Sequence, residues 1–184
     1  LFVAANLNSD TAFSIVRYGN VMGSRGSVIP FFIEQSKSNR FTITDERMTR
    51  FMISLDQAVE LVWHALEDMV GGEIYVKRIP SMKVTDLADV VAPNDKQKVV
   101  GIRPGEKIHE QMIGAEDAMF TYKYDHYFKI LPSINEWGAD ESRIKDGMKV
   151  SDGFTYDSEN NDEWMTKDQL KEWLDDNIDH IGID

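Results

Sequence analysis

The run from residue 13 to residue 33 does most to narrow what this chain can fold into. Phe13-Ser14-Ile15-Val16-Arg17-Tyr18 is rich in β-formers, residues 19–27 form a loop punctuated by glycine and serine, and Val28-Ile29-Pro30-Phe31-Phe32-Ile33 opens a helix with proline in its first turn. Strand, glycine loop and helix in that order are the repeating unit of α/β folds, and the rest of the chain keeps to it. Before this run, Leu1-Phe2-Val3-Ala4-Ala5-Asn6 reads as the last turns of a helix already under way, so a fragment is expected. Phe41-Thr42-Ile43-Thr44 predicts a short strand, followed by a charged turn leading into residues 48–53. Ser54 and Gln57 then form an S-x-x-Q box before a helix in which Leu55, Val59, Val62, Leu66 and Met69 recur every three to four residues. Gly71-Gly72 stops that helix and residues 73–76 predict a strand. Residues 84–91 predict a second capped helix ended by Pro93, and residues 98–102 are strand-like. Pro104 stands in the first turn of a helix expected over residues 106–113.

Beyond Gly114 the texture changes to aromatic, acidic and Gly/Pro-broken sequence. It holds one strand near residues 127–131 and a terminal helix with Thr166 as its N-cap and Trp164, Leu170, Trp173 and Leu174 on its apolar side. Residues 1–114 carry 13 basic and 14 acidic side chains and residues 115–184 carry 7 and 18, so the net charge of -12 belongs to the tail. A solvated acidic surface is the plain reading of that tail. This balance argues against nucleic acid as a partner, because phosphate neutralisation needs a basic face and none is visible in the sequence. At 184 residues and 42% hydrophobic the chain can bury a real core. It has no apolar run long enough for a membrane span, and no cysteine for a disulfide or thiolate site, so a cytoplasmic protein is expected.

Two segments have the composition of a ligand site. The loop Gly19-Asn20-Val21-Met22-Gly23-Ser24-Arg25-Gly26-Ser27 lets backbone N–H groups approach an anion, with a helix start behind it. It matches neither G-x-G-x-x-G nor the P-loop, and composition alone fits a structural turn equally well. Arg103-Pro104-Gly105-Glu106 sets a guanidinium and a carboxylate around a rigid turn. Arginine can grip a phosphate and the carboxylate can accept from sugar hydroxyls, while a surface ion pair fits as well. Thr44-Asp45-Glu46-Arg47-Met48-Thr49-Arg50 has no EF-hand spacing and no histidine, and no metal site is expected. His64, His109, His126 and His180 lie too far apart to form a ligand set. Trp63, Trp137, Trp164 and Trp173 read as packing residues.

Val16-Arg17-Tyr18-Gly19-Asn20-Val21-Met22-Gly23-Ser24-Arg25-Gly26-Ser27-Val28-Ile29-Pro30 resembles the R-[YF]-G-N-V-x-G-S-x-G-S-V-[IV]-P segment of the UDP-N-acetylglucosamine 4,6-dehydratases. Residues 43–51 and 101–110 fit the same family in the right order. Ser-Arg-Gly-Ser and Thr-Asp-Glu-Arg-Met-Thr-Arg are most similar to the C5-inverting branch of pseudaminic acid biosynthesis, and the resemblance covers at least residues 1–131. It implies the C-terminal part of a Rossmann-type extended short-chain dehydrogenase/reductase fold with a small α/β substrate-binding domain. The expected divisions are the end of the Rossmann domain at 1–27, a substrate-binding region with one returning Rossmann strand and helix at 28–114, and an acidic extension at 115–184. It also implies NADP as cofactor, UDP-N-acetylglucosamine as substrate and a homo-oligomer when complete. By motif, Asn20, Val28, Thr44, Arg103 and Glu106 fall to the substrate and Val21, Met22, Gly23, Ser24 and Arg25 to the cofactor's nicotinamide end, with Arg50 a further candidate for an anion. The family's Tyr-x-x-x-Lys pair is absent, since Met22, Ile79, His126, Phe128, Leu131 and Asn160 stand four residues after the tyrosines, so no catalytic residue is assigned. An epimerase, reductase or retaining dehydratase of the same superfamily, or a non-catalytic partner-binding module, are the alternatives.

Overall fold

The structure, a computed structural model, describes residues 2–37, 41–93, 97–133 and 140–181; Trp137 and the side chain of His180 lie outside the described residues. In chain order the elements are α1 (Phe2–Ala5), β1 (Ile15–Arg17), β2 (Asn20–Val21), α2 (Val28–Ser36), β3 (Thr42–Ile43), β4 (Thr49–Ile53) and α3 (Leu55–Asp68). After them come β5 (Ile74–Lys77), β6 (Ser81–Lys83), α4 (Val84–Val91), β7 (Lys98–Val99), β8 (Gln111–Ile113), β9 (Thr121–Lys123) and β10 (Tyr127–Ile130). The last are α5 (Glu141–Ile144), β11 (Met148–Lys149), β12 (Tyr156–Asp157) and α6 (Lys167–Asn177). Helices interleave with strands that pair both parallel and antiparallel, so the fold is α/β.

The chain packs as two compact units, each assembled from three stretches of sequence: residues 1–18, 55–78 and 111–156 in the first, and 19–54, 79–110 and 157–184 in the second. These units cut across the sequence divisions at 27/28 and 114/115. In the first unit a sheet runs β1-β5-β10-β9-β11, with β1 parallel to β5 and the remaining pairs antiparallel. Strand β5 is flanked on both sides, by β1 and by β10 from the sequence beyond Gly114. In the second unit β2-β4-β6 forms one sheet and β3-β7 another, around a core that includes Ile29, Phe32, Met52, Leu87 and Leu170.

Three expectations need correction. Helix α3 forms, but its buried residues are Ala58, Leu61 and Ala65, while Leu55, Val59, Val62 and Leu66 are exposed. The helix is apolar on two faces, and the one with small residues packs closest: Leu61 and Ala65 cluster with Tyr75 of β5. Trp63 and Trp164, both expected to pack, are 60% and 40% exposed, and Trp164 lies ahead of α6 instead of on its apolar side. No helix forms over residues 106–113. Gly105 has φ +88, and the carbonyls of Lys107 and Ile108 accept from the Arg50 guanidinium at 3.0 Å each, so bonds to β4 replace a helical ladder. Thr49 N donates to Ile108 O (3.1 Å), continuing that pairing, and residues 111–113 emerge as β8.

Candidate functional site

Within the second unit lies a cavity of about 550 Å³. The loop at residues 19–27 forms one wall, and two close approaches shape it. A Cβ on Gly19 would sit 2.4 Å from Cβ of Phe51, so only glycine lets β2 lie against β4. Gly23 has φ +72, and a Cβ there would meet the Trp173 ring at 3.0 Å and Ile181 at 3.3 Å. Helix α6 thus backs the glycine loop. Leu170 and Leu174 anchor α6 in the core, and Thr166 and Gln169 form a reciprocal capping box at its start.

Helix α2 presents its N-terminus to the cavity. Ser27 is its N-cap in extended geometry, yet its hydroxyl caps nothing: Ser27 Oγ is buried and has no hydrogen-bond partner among the described residues. Phe31 N donates to Ser27 O (3.2 Å), the first bond of the helix, and Pro30 has no N–H. The backbone N–H groups of Val28 and Ile29 therefore point out of the helix start with the positive end of its dipole. Around this end stand Arg25 and Arg103, both exposed, whose guanidinium groups have no protein partner among the described residues. Glu106 lies beside them. Its Oε2 accepts from Arg103 N (2.9 Å) and its own N donates to Arg103 O (3.0 Å), closing the Pro104-Gly105 turn and leaving one carboxylate oxygen available.

Arg50 also lines the cavity but is committed to protein. Its Nη1 donates to Thr49 O (2.7 Å) and Ile108 O (3.0 Å), its Nη2 to Lys107 O (3.0 Å), and its Nε lies 3.7 Å from Glu110. Those bonds make it a strut between β4 and residues 107–110 rather than a free anion contact. Deeper in, hydrogen bonding selects an orientation of the Asn20 amide in which Nδ2 donates to Glu110 Oε2 (2.9 Å) and Oε1 (3.1 Å) and to Phe51 O (3.3 Å). Burial pushes the Glu110 carboxyl above the ordinary carboxylate range, with Arg50 opposing.

Seven of the residues assigned by motif line this one cavity: Asn20, Arg25, Val28, Thr44, Arg50, Arg103 and Glu106. Val21, Met22, Gly23 and Ser24 do not; the Met22 side chain is buried in the core and Ser24 is exposed. Sequence reasoning assigns no individual role to Ser27, which closes the glycine loop it singles out, and misses Glu110 and Trp173 as site residues. A serine at the head of a Pro-containing helix is a readable signal for the first, whereas nothing local marks the other two. His109 is engaged within the protein. Its Nδ1 is 2.8 Å from Thr49 Oγ1 and its Nε2 is 3.5 Å from Glu159. Among the described residues no helix is long and apolar enough to cross a membrane.

Fold and site together define a Rossmann-type α/β protein whose second unit holds a cavity lined by Arg25, Arg103 and the start of α2. The chain belongs to the polysaccharide biosynthesis protein family, whose sequence pattern matches residues 1–132. It is 48% identical over 183 residues to the UDP-N-acetylglucosamine 4,6-dehydratase (inverting) of Campylobacter jejuni subsp. jejuni serotype O:2, covering 94% of this chain and 54% of that relative. It is 41% identical over 130 residues to the UDP-glucose 4-epimerase of Rickettsia bellii, covering 68% of this chain and 38% of that one. The solved structure of Pen from Bacillus thuringiensis superposes with a TM-score of 0.79 at 31% identity, over 95% of this chain and 53% of Pen. The chain spans about half the length of the curated dehydratases it matches.

Proposed function

We propose that this chain is the substrate-holding portion of an NADP-dependent UDP-N-acetylglucosamine 4,6-dehydratase of the C5-inverting kind, acting in the cytoplasm on the way to a surface glycan or glycosylated flagellin. The observation that carries the reading is the cluster of unspent donors around one cavity: Ser27 Oγ, the N-terminus of α2, and the unpaired guanidinium groups of Arg25 and Arg103. A diphosphate needs positive charge and several donors, and this cluster provides both. The match to the dehydratase covers 94% of the chain against 68% for the epimerase, which favours dehydration over epimerisation.

In this reading Arg103, Arg25 and Ser27 hold the diphosphate, and the spare oxygen of Glu106 accepts from the ribose hydroxyls. Val28, Thr44 and Asn20 border the sugar. The motif assigns Arg25 to the nicotinamide end, and its place in the same cavity as Arg103 supports moving it to the phosphates. The cofactor's own contacts then come from residues 21–24. With Met22 turned into the core and Gly23 backed by Trp173, the exposed surface there is uncharged backbone with Val21 and Ser24, which fits a nicotinamide end and not a phosphate. When bound, a nicotinamide would supply a reversible hydride acceptor for a sugar that loses water across C5 and C6. The residues described here bind and orient; the proton-transferring Tyr/Lys pair is not among them. A homo-oligomer is the expected form of the complete protein.

Calorimetric titration of the full-length protein with UDP and with UDP-N-acetylglucosamine tests this. Arg103→Ala is expected to weaken both ligands by about 5- to 100-fold, the loss of a charge-assisted contact. Unchanged affinity would remove the diphosphate from this cavity. NMR of the product separates the chemistries: a 4-keto-6-deoxy sugar inverted at C5 supports the proposal, and a C4 epimer overturns it.

A further inference from the structure

Glu110 lies behind the cavity rather than in its lining, and the reading above gives it no role. Its backbone is pinned on both sides, since Glu110 N donates to Ser158 Oγ (2.9 Å) and Ser158 N donates to Glu110 O (2.8 Å). Ser158 is fully buried and also hydrogen-bonded to Thr49 Oγ1 at 2.7 Å. The carboxylate this clamp holds forward meets donors: the Asn20 amide, Phe51 N at 3.4 Å and Arg50 Nε at 3.7 Å. Both hydrogens of the Asn20 amide are then used, one by Glu110 and one by Phe51 O. What Asn20 retains for a ligand is its carbonyl oxygen.

We infer that Glu110 is a positioning residue: it locks the Asn20 side chain with Nδ2 turned inward, so that Oδ1 is the group Asn20 offers to the cavity and the ligand must meet it with a donor, a hydroxyl or an N–H. A freely turning asparagine would accept either kind of partner, whereas a locked one discriminates. Only the ligand's identity rests on the nucleotide-sugar reading; the locked orientation stands on the protein's own contacts. The clamp comes from the segment after residue 157, so the tail sets the chemistry of an asparagine in the glycine loop.

The test has two arms, both on the full-length protein. In the first, no ligand is present. Side-chain amide signals of Asn20 in 15N-labelled protein are expected to exchange slowly with water and to shift as Glu110 titrates, and Glu110→Gln is expected to abolish that pH-dependent shift. Signals that titrate identically in wild type and E110Q overturn the lock. In the second, UDP-N-acetylglucosamine is titrated against E110Q, Asn20→Asp and the double variant. Asn20→Asp alone sets two carboxylates together, whereas combining it with E110Q restores a donor–acceptor pair with an oxygen still toward the cavity. Each single variant is expected to raise KM about tenfold with a smaller change in kcat, and the double variant to return to within about threefold of wild type. A double variant as weak as the product of the singles overturns the positioning role. If wild type itself binds no UDP-N-acetylglucosamine, the functional reading fails, and the amide arm alone decides the lock. Should E110Q melt early, Glu110→Leu, which also removes the titrating acceptor, supplies the first readout in its place: an Asn20 shift that persists in it overturns the lock.

Discussion

The two units treat charge in opposite ways. In the first, charged groups are buried and answered. Lys129 is 1% exposed, with Nζ 2.5 Å from Asp68 and donating to Arg143 O at 2.9 Å, and it lies over the rings of Tyr75 and Tyr124. Lys145 and the Tyr75 hydroxyl complete the shell of Asp68, and Arg143 pairs with Glu73 at 2.5 Å while donating to Gly71 O. In the second unit, Arg25 and Arg103 stand exposed around a cavity with no protein partner among the described residues. The same residue types serve as internal fasteners in one place and stand unpaired beside a cavity in the other. Whether the partner is already inside the protein decides which.

The contrast can be broken most forcefully at Lys129. Removing it leaves the Asp68 carboxylate buried against Tyr75 with one cation fewer, and Lys129→Ala is expected to cost about 3–5 kcal/mol in denaturant unfolding. Lys129→Met with Asp68→Asn, which discards both charges, should cost less than Lys129→Ala alone. Equal losses would mean that packing and not charge holds the site. The pH dependence follows from the same group. Burial pushes the Asp68 carboxyl up, but hydrogen bonds from Lys129, Lys145 and Tyr75 outweigh it and hold it well below the ordinary carboxylate range. Its folded pKa is thus depressed, so its stabilisation is present above the unfolded value of 3.8 and is lost as pH falls below it. Melting temperature should drop through that acid window in wild type and drop less in Asp68→Asn.

Next in size is Trp173→Ala, which removes the ring behind Gly23 and should destabilise by about 2–4 kcal/mol as a partly buried aromatic truncation. Its loss should also loosen the glycine loop and weaken UDP binding, although Trp173 does not line the cavity. A destabilised variant with unchanged UDP affinity would show that α6 supports the core and not the loop.

What can be read from the sequence divides along the same line between local and non-local causes. Helices α2, α4 and α6 are legible because a cap, a proline or a periodic stripe lies within a few residues of each. The segment at 106–113 reads as helix but is not one, because its carbonyls are satisfied by Arg50, more than fifty residues away, and no local pattern reports that. For α3 the period is right and the face wrong: with apolar residues on two sides, the choice falls to the close fit of Ala58 and Ala65. At the site, the glycine loop and the Arg103–Glu106 turn stand out by composition. The unsatisfied hydroxyl of Ser27, the commitment of Arg50 and the reach of Glu110 to Asn20 depend on side-chain direction, which composition does not encode.

The smallest effect on stability belongs to the residues with the largest effect on ligand. Arg103→Ala and Arg25→Ala remove exposed side chains with no partner among the described residues, so each should change unfolding free energy by less than about 0.5 kcal/mol. By contrast, Arg50→Ala, in the wall of the same cavity, gives up bonds to three backbone carbonyls and should cost about 1–3 kcal/mol. Thermal melts of the three variants beside their UDP titrations sort the cations into receptor and strut. An Arg103→Ala protein that melts well below wild type would mean that its guanidinium is held by the protein after all, and the open end of the cavity would have to be sought at Arg25 and Ser27 alone.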